Sequence, residues 1–152
     1  MTPLTKINNQ IFVSALPKTR DLPCLKEMGI KHVINLMMEP HNNNFVESFG
    51  INVLHIPVKN YSSPSISQIE QAISFIEEHH TEKILIHCWA GLGRTGTIVG
   101  CYLVKHEDMS PDKAIKHVRN LRPGSIETGA QEKIIHDYYN TIKPKSSFFR
   151  KK

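Results

Sequence analysis

The chain alternates short β-branched runs with stretches whose apolar positions recur every three to four residues, a pattern that predicts an α/β fold. IFVS at 11–14 is a strand candidate. Residues 20–28 carry Leu22, Leu25 and Met28 at helical spacing and stop at Gly29, a natural helix terminator. KHVINLM (31–37) and INVLHIPV (51–58) read as strands. A polar loop over 39–44, with Pro40 and a run of asparagines, separates them and is expected to be an exposed, mobile insertion. Ser65 and Gln68 form a capping box ahead of Ile66, Ile69, Ala72, Ile73 and Ile76, one apolar helix stripe ending near His80. KILIHC (83–88) is a short continuous apolar run, which predicts a central strand buried on both faces. After a glycine-rich turn, residues 94–106 are apolar almost all round and predict a buried helix. Ser110 and Pro111 open a helix that ends near Leu121, before Arg122-Pro123-Gly124. Thr128 and Gln131 cap a last helix towards Thr141, after which the basic end KSSFFRKK is expected to fray.

With 152 residues the chain has the size of one domain, placed at 1–143, with a tail at 144–152. Its 39% hydrophobic and 22% charged residues exclude a collagen-like, disordered or membrane-spanning chain. The N-terminal MTPLTKINNQ has no secretory pattern, and Cys24, Cys88 and Cys101 are odd in number, so a reducing, cytoplasmic setting is expected. A monomer is the expected state. Cys24 and Cys101 fall on predicted helices, where core packing is the expectation. The nine histidines are scattered with no zinc-site spacing, so no metal and no cofactor are expected. A net charge of +5 favours acidic partners: phosphorylated groups, nucleic acid or an anionic membrane surface.

ILIHCWAGLGRTG (84–96) narrows that choice. It sets Cys88 at the end of a buried strand, with Arg94 six positions on and a helix following. Amides of a tight glycine-rich loop form an anion nest, and the helix aims its positive end at the same point. Arg94 adds a planar fork for two phosphate oxygens. Such surroundings favour a thiolate nucleophile facing a bound dianion such as phosphate, sulfate or vanadate. Gly91 and Gly93 let the backbone turn and the amides approach, while Gly96 lets the helix start pack closely. Trp89, Ala90, Gly91, Leu92, Gly93 and Arg94 would line the anion. Thr95 is placed to donate to the Cys88 sulfur, and His87 to orient the loop.

These residues match the His-Cys-x5-Arg-Ser/Thr signature of the cysteine-dependent protein tyrosine phosphatase superfamily. Residues 95–139, with RPGSIET at 122–128 and then Gln131-Glu132, resemble the small, domain-only atypical dual-specificity phosphatases; a looser similarity runs back to about Phe12. The resemblance implies a short, mostly parallel sheet flanked by helices, with the phosphate loop between a central strand and a buried helix. It also implies hydrolysis of phosphotyrosine, and more slowly phosphoserine or phosphothreonine, through a phosphocysteine.

One departure matters. The family supplies an Asp as general acid from a second loop, and here the best-matching position is Asn60, with no Asp or Glu from 50 to 68. Three readings stay open. Glu127 serves instead, since the family places that loop beside the pocket, with Gln131 helping to position water. Or the enzyme acts on good leaving groups, such as RNA 5′-triphosphates, although no nucleic-acid motif is present. Or the chain is a phosphopeptide-binding module with vestigial activity. The uncharged loop residues make an inositol-phosphate preference the weaker expectation. Tyr61 could stack on an aryl phosphate or be a plain surface tyrosine.

Overall fold

The structure is a computed structural model that describes the backbone of residues 1–41 and 46–150, with side chains described up to Lys143. The strands are β1 (Leu4–Lys6), β2 (Ile11–Ser14), β3 (Ile30–Asn35), β4 (Asn52–His55) and β5 (Lys83–His87). They form one sheet in the order β1-β2-β5-β3-β4, with β1 antiparallel and the rest parallel. The helices are α1 (Leu22–Glu27), α2 (Ile66–Glu78), α3 (Gly93–His106), α4 (Pro111–Leu121) and α5 (Gly129–Arg150). The mostly parallel α/β architecture expected from the alternating pattern is the one observed.

Strand alternation divides the core between the two faces of the sheet. Ile84 and Ile86 of β5 pack with Ile11, Val13 and Ile34 against α2, α3, α4 and α5. Leu85 points the other way and packs with Phe12, Val33 and the α1 residues Leu22 and Leu25. β5 is therefore buried on both faces, as its continuous apolar run requires. Every residue of α3 from Gly93 to Val104 is buried. The three helix caps read from sequence are all formed. Ser65 accepts from the Gln68 amide at 3.1 Å, Ser110 from Lys113 at 3.3 Å and Thr128 from Gln131 at 3.2 Å.

Several boundaries differ from the sequence expectation, each for a local reason. β1 was not expected; three residues on an antiparallel edge carry too little periodicity to register. Helix α1 starts at Leu22 instead of residue 20, because Thr19–Asp21 forms a 3-10 turn first. The Asp21 carboxylate holds that turn, accepting from Lys18 N at 2.7 Å and Thr2 Oγ1 at 2.6 Å. β3 ends at Asn35 because that side chain accepts from Met37 N at 2.9 Å and turns the chain. β4 stops at His55, just before Ile56-Pro57, although Val58 N still reaches Leu36 O at 3.1 Å. Helix α5 continues to Arg150, past the end expected near Thr141. Extending an existing helix costs far less than nucleating one. Cys24 is exposed, not packed in the core, because α1 turns Leu22 and Leu25 inward. Cys101 is fully buried as expected, and burial pushes its thiol far above the ordinary range. Residues 42–44 of the polar loop lie outside the described residues.

Candidate active site

The parallel strands bring a row of polar residues to one edge of the sheet. Ser14 and Asn35 flank His87 in register, and His55 stands next to Asn35. Beyond this row the chain of β5 turns through residues 88–92 into α3. Parallel strands with covering helices leave their carboxyl ends free to carry such a loop.

Cys88 closes the strand and is 2% exposed. Arg94 and Thr95, in the first turn of α3, are 4% and 0% exposed. The Arg94 guanidinium donates from Nη1 to Val58 O at 2.8 Å. Its Nε and the Thr95 hydroxyl are the two buried side-chain polar atoms without a partner among the described residues. The bond expected from Thr95 to the Cys88 sulfur is therefore not formed. An orphaned buried polar atom costs about 1–3 kcal/mol. The two lie in successive residues at the N-terminus of α3, just after the loop that begins at Cys88, and a hydrogen-bonding anion would satisfy both.

The loop is held in shape from outside. Gly91 has φ +72°, and a Cβ there would collide with the Ser14 carbonyl, so this position requires glycine. Leu16 N donates to Trp89 O at 3.0 Å. Arg122 donates from Nε to Gly91 O at 2.8 Å, from Nη2 to Ala90 O at 3.1 Å and from Nη1 to Thr5 Oγ1 at 3.0 Å. Carbonyls drawn outward to this guanidinium leave the loop amides free to face the anion. The sequence reading treated Arg122-Pro123-Gly124 as a helix stop and missed this brace. An arginine directly after a predicted helix, in a chain with a phosphate loop, is the signal that could have found it. Arg122→Ala is expected to lower kcat about 10–100-fold with KM changed far less, since slack in the loop misplaces the reacting groups. Steady-state kinetics on an aryl phosphate reads this directly.

Of the other predicted lining residues, Trp89 and Ala90 are exposed, Leu92 is half-buried, and Gly91 and Gly93 are buried. Gly96 packs where a Cβ would sit 3.1 Å from Ser125 and 3.2 Å from Ile126, the close approach expected of it. Ile126 N donates to Leu92 O at 3.0 Å, so the 125–128 loop is fastened to the phosphate loop. That fastening brings the Glu127 carboxylate and the Gln131 amide against Gly93. Gln131 is buried; its Oε1 accepts from Glu127 N at 2.7 Å and Thr128 N at 3.2 Å, and its Nε2 donates to Ser62 O at 3.2 Å. Asn60 is exposed and turned onto its own chain, with Oδ1 accepting from Tyr61 N at 3.0 Å. Its loop nevertheless meets the site at both ends, through Val58 O to Arg94 and through Ser62 O to Gln131.

His87 is fully buried behind Cys88. Its Nδ1 lies 3.1 Å from Cys88 O and its Nε2 2.7 Å from His41 Nε2. A carbonyl only accepts, so Nδ1 carries the proton and Nε2 accepts from His41. His87 is thus a neutral imidazole that fixes the loop's first carbonyl. Burial, reinforced by the nearby His41, Arg94 and His55, pushes its pKa down to about 3. Between pH 3 and 6.5 the unfolded chain therefore binds a proton that the folded chain refuses, and stability falls as pH drops through this window. Chemical denaturation at pH 7 and pH 4 is expected to differ by about 3 kcal/mol from this group, a dependence that His87→Gln flattens.

A buried cysteine at the end of the central strand, a loop braced from outside and an arginine in the first turn of the helix that follows are the layout implied by the signature of the cysteine-dependent phosphatases. Over residues 8–135 the chain matches the family described as Swiss Army Knife protein, DSP-PTPase phosphatase domain (PTP-SAK), and it belongs to that family. It is a small dual-specificity phosphatase of the cysteine-dependent superfamily, as the signature implied. Phosphatidylglycerophosphate phosphatase PTPMT1 of Arabidopsis thaliana is 38% identical over 137 residues, covering 86% of this chain and 40% of that protein. PTPMT2 of the same plant is 32% identical over 148 residues, covering 93% and 64%. The chain thus spans less than two thirds of either relative. The crystal structure of Tk-PTP in the active form superposes with a TM-score of 0.86 at 30% identity, covering 91% of this chain and 97% of that one.

Proposed function

We propose that the protein hydrolyses phosphotyrosine, and more slowly phosphoserine and phosphothreonine, in protein substrates through a phosphocysteine. The observation that carries this reading is the pair of unpartnered buried atoms, Arg94 Nε and Thr95 Oγ1, beside the buried Cys88. The Cys88 sulfur attacks phosphorus in line, while loop amides and Arg94 hold the equatorial oxygens. The S–P bond forms as the P–O bond to the phenol or alcohol breaks. Water then attacks phosphorus, the thiolate leaves, and phosphate is released. Trp89, next to Cys88 in the chain, and Tyr61, whose carbonyl accepts from Thr128 Oγ1, are 63% and 61% exposed and suit an aryl group that lowers its phosphate to the loop.

Glu127 supplies the proton that Asn60 has no acid to give. Its carboxylate lies against Gly93, at the lip of the phosphate loop. After transfer to the leaving oxygen, the same carboxylate takes a proton from the attacking water, with Gln131 beside it. Glu127→Gln is expected to cost about 10²-fold for alkyl phosphates and little for phenols with a low pKa. A series of phosphates with graded leaving groups checks it: the slope steepens in the variant alone. A slope already steep in the unaltered enzyme would mean that no acid operates.

A second reading, a phosphate monoester on a phospholipid headgroup, draws on the names of the two plant relatives and on exposed Met38, Tyr61 and Trp89. The deciding experiment compares kcat/KM for a phosphotyrosyl peptide, a phosphoseryl peptide, phosphatidylglycerophosphate in mixed micelles and 5′-triphosphorylated RNA. The phosphotyrosyl peptide is expected to lead. A lead for the lipid or the RNA replaces the protein reading.

A further inference from the structure

The amino ends of the parallel strands, remote from the phosphate loop, hold a second concentration of chemistry. His32 stands near the start of β3, His79 is the C-cap of α2, and Glu82 immediately precedes β5. Glu82 Oε1 lies 2.8 Å from His32 Nε2 and 3.3 Å from His79 Nδ1. One donor atom from each residue falls within 4.8 Å of the others.

The arrangement is built, not incidental. The turn carrying His79 and Glu82 is closed by a bond from Glu82 N to His79 O at 2.9 Å. Gln10 fastens the same helix end, donating from Nε2 to His79 O at 2.8 Å and Ile76 O at 2.9 Å. The two imidazoles lie 3.9 Å apart between centroids, tilted by 34°, and the edge of Phe75 packs on His32 at 5.3 Å. Asn52 reaches the far nitrogen of His32, with Nδ2 3.3 Å from Nδ1. Both rings aim a nitrogen at one carboxylate oxygen. A cation that accepts lone pairs from two imidazoles and a carboxylate satisfies all three groups at once.

We propose that His32 Nε2, His79 Nδ1 and Glu82 bind one divalent late-transition ion of the Zn²⁺ class, with water completing the coordination. Zn²⁺ takes nitrogen and carboxylate oxygen at about 2.0–2.2 Å, which puts tetrahedral donors roughly 3.3–3.4 Å apart. The two observed nitrogen–oxygen separations, 2.8 and 3.3 Å, lie near that value, and the three donor atoms together fall within 4.8 Å, so binding draws the two imidazoles in around the ion. Two nitrogens and one oxygen select against Mg²⁺ and Ca²⁺. Asn52 is the outer partner: with its amide turned, its carbonyl accepts the Nδ1 proton of His32 and fixes the tautomer the metal needs. β5 alone, Lys83–His87, puts the site about 16 Å from the phosphate loop. The ion therefore clasps β3, β5 and the end of α2, and takes no part in phosphate transfer. Sequence spacing did not disclose it, because His32 is far along the chain from its partners and His79-His80 read as charges at a helix end.

The test uses the full chain carrying Cys88→Ser, which removes the thiolate as a competing ligand. Zn²⁺ is titrated by calorimetry, and Co²⁺ by its d–d absorption. One equivalent is expected to bind, with Co²⁺ bands of tetrahedral intensity and a melting temperature that rises with free Zn²⁺. His79→Gln and Glu82→Gln, both at accessible positions, are each expected to weaken binding at least about 100-fold with circular dichroism unchanged. His106→Gln, which alters a separate histidine–glutamate contact, leaves it intact. Absence of one-equivalent binding, or equal binding by both His79→Gln and Glu82→Gln, overturns the proposal. Neither result bears on the phosphatase reading, because Cys88 is not the ligand tested.

Discussion

Cys88→Ser is expected to abolish phosphate-ester hydrolysis, by about 10⁴-fold or more in kcat, while leaving the affinity for phosphate within a few-fold of the unaltered protein. A serine hydroxyl in this position is a far weaker nucleophile than the sulfur, because it keeps its proton at neutral pH unless a base aimed at it takes that proton. His87 is the nearest histidine in sequence, but its Nδ1 is committed to Cys88 O and its Nε2 to His41. The anion-holding parts are untouched by the change. The loop keeps its brace from Arg122, and Arg94 and Thr95 keep their orphaned atoms. Single-turnover kinetics together with phosphate titration separates the two properties. Residual turnover above a hundredth of the original rate would mean that another group is the nucleophile. Loss of phosphate binding alongside turnover would mean that the sulfur shapes the loop instead of reacting.

The second large effect is expected from Arg94→Lys, about 10³-fold in kcat/KM with a well-folded protein. Charge is retained, so what is removed is the planar fork. Arg94 has two tasks. It donates Nη1 to Val58 O at 2.8 Å, and it leaves Nε free for the anion. One ammonium on a flexible stem does not replace both bonds in fixed directions. The loss should therefore appear in turnover and also in the 58–62 loop, which the guanidinium anchors at one end. Hydrogen exchange at residues 58–62 in the variant reads the second consequence: faster exchange there is expected, with α3 unaffected. If Arg94→Lys retained a tenth of the activity, charge alone would suffice and the fork would be unnecessary.

How legible the molecule is from sequence depends on how local each feature is. β2, β5 and α3 were readable because burial on every side leaves an unbroken apolar run. The caps at Ser65, Ser110 and Thr128 were readable because donor and acceptor lie within four residues. The layout of Cys88 at the strand end and Arg94 in the first turn of α3 belongs to the same group, since six positions separate them. Arg122 was not readable in its role: it acts on Ala90 and Gly91, about thirty positions away, and only the return of the chain after α4 puts it there. The cluster of His32, His79 and Glu82 is non-local in the same way. Asn60 stood out in the sequence because it best matches the position at which the resembled family carries its acid. That Gln131 ties Ser62 to the 127–128 backbone required the fold.

The outer brace has a consequence for synthesis. A ribosome adds Cys88 and Arg94 well before it adds Arg122, Glu127 and Gln131. A nascent chain cut at residue 121 would hold Cys88 and Arg94, yet its loop would lack the guanidinium that draws its carbonyls outward. It would also lack α5, against which α3 buries Ile98 and Gly100 through Ile135. Cys88 is therefore expected to gain its braced surroundings only after Arg122 and α5 have been synthesised.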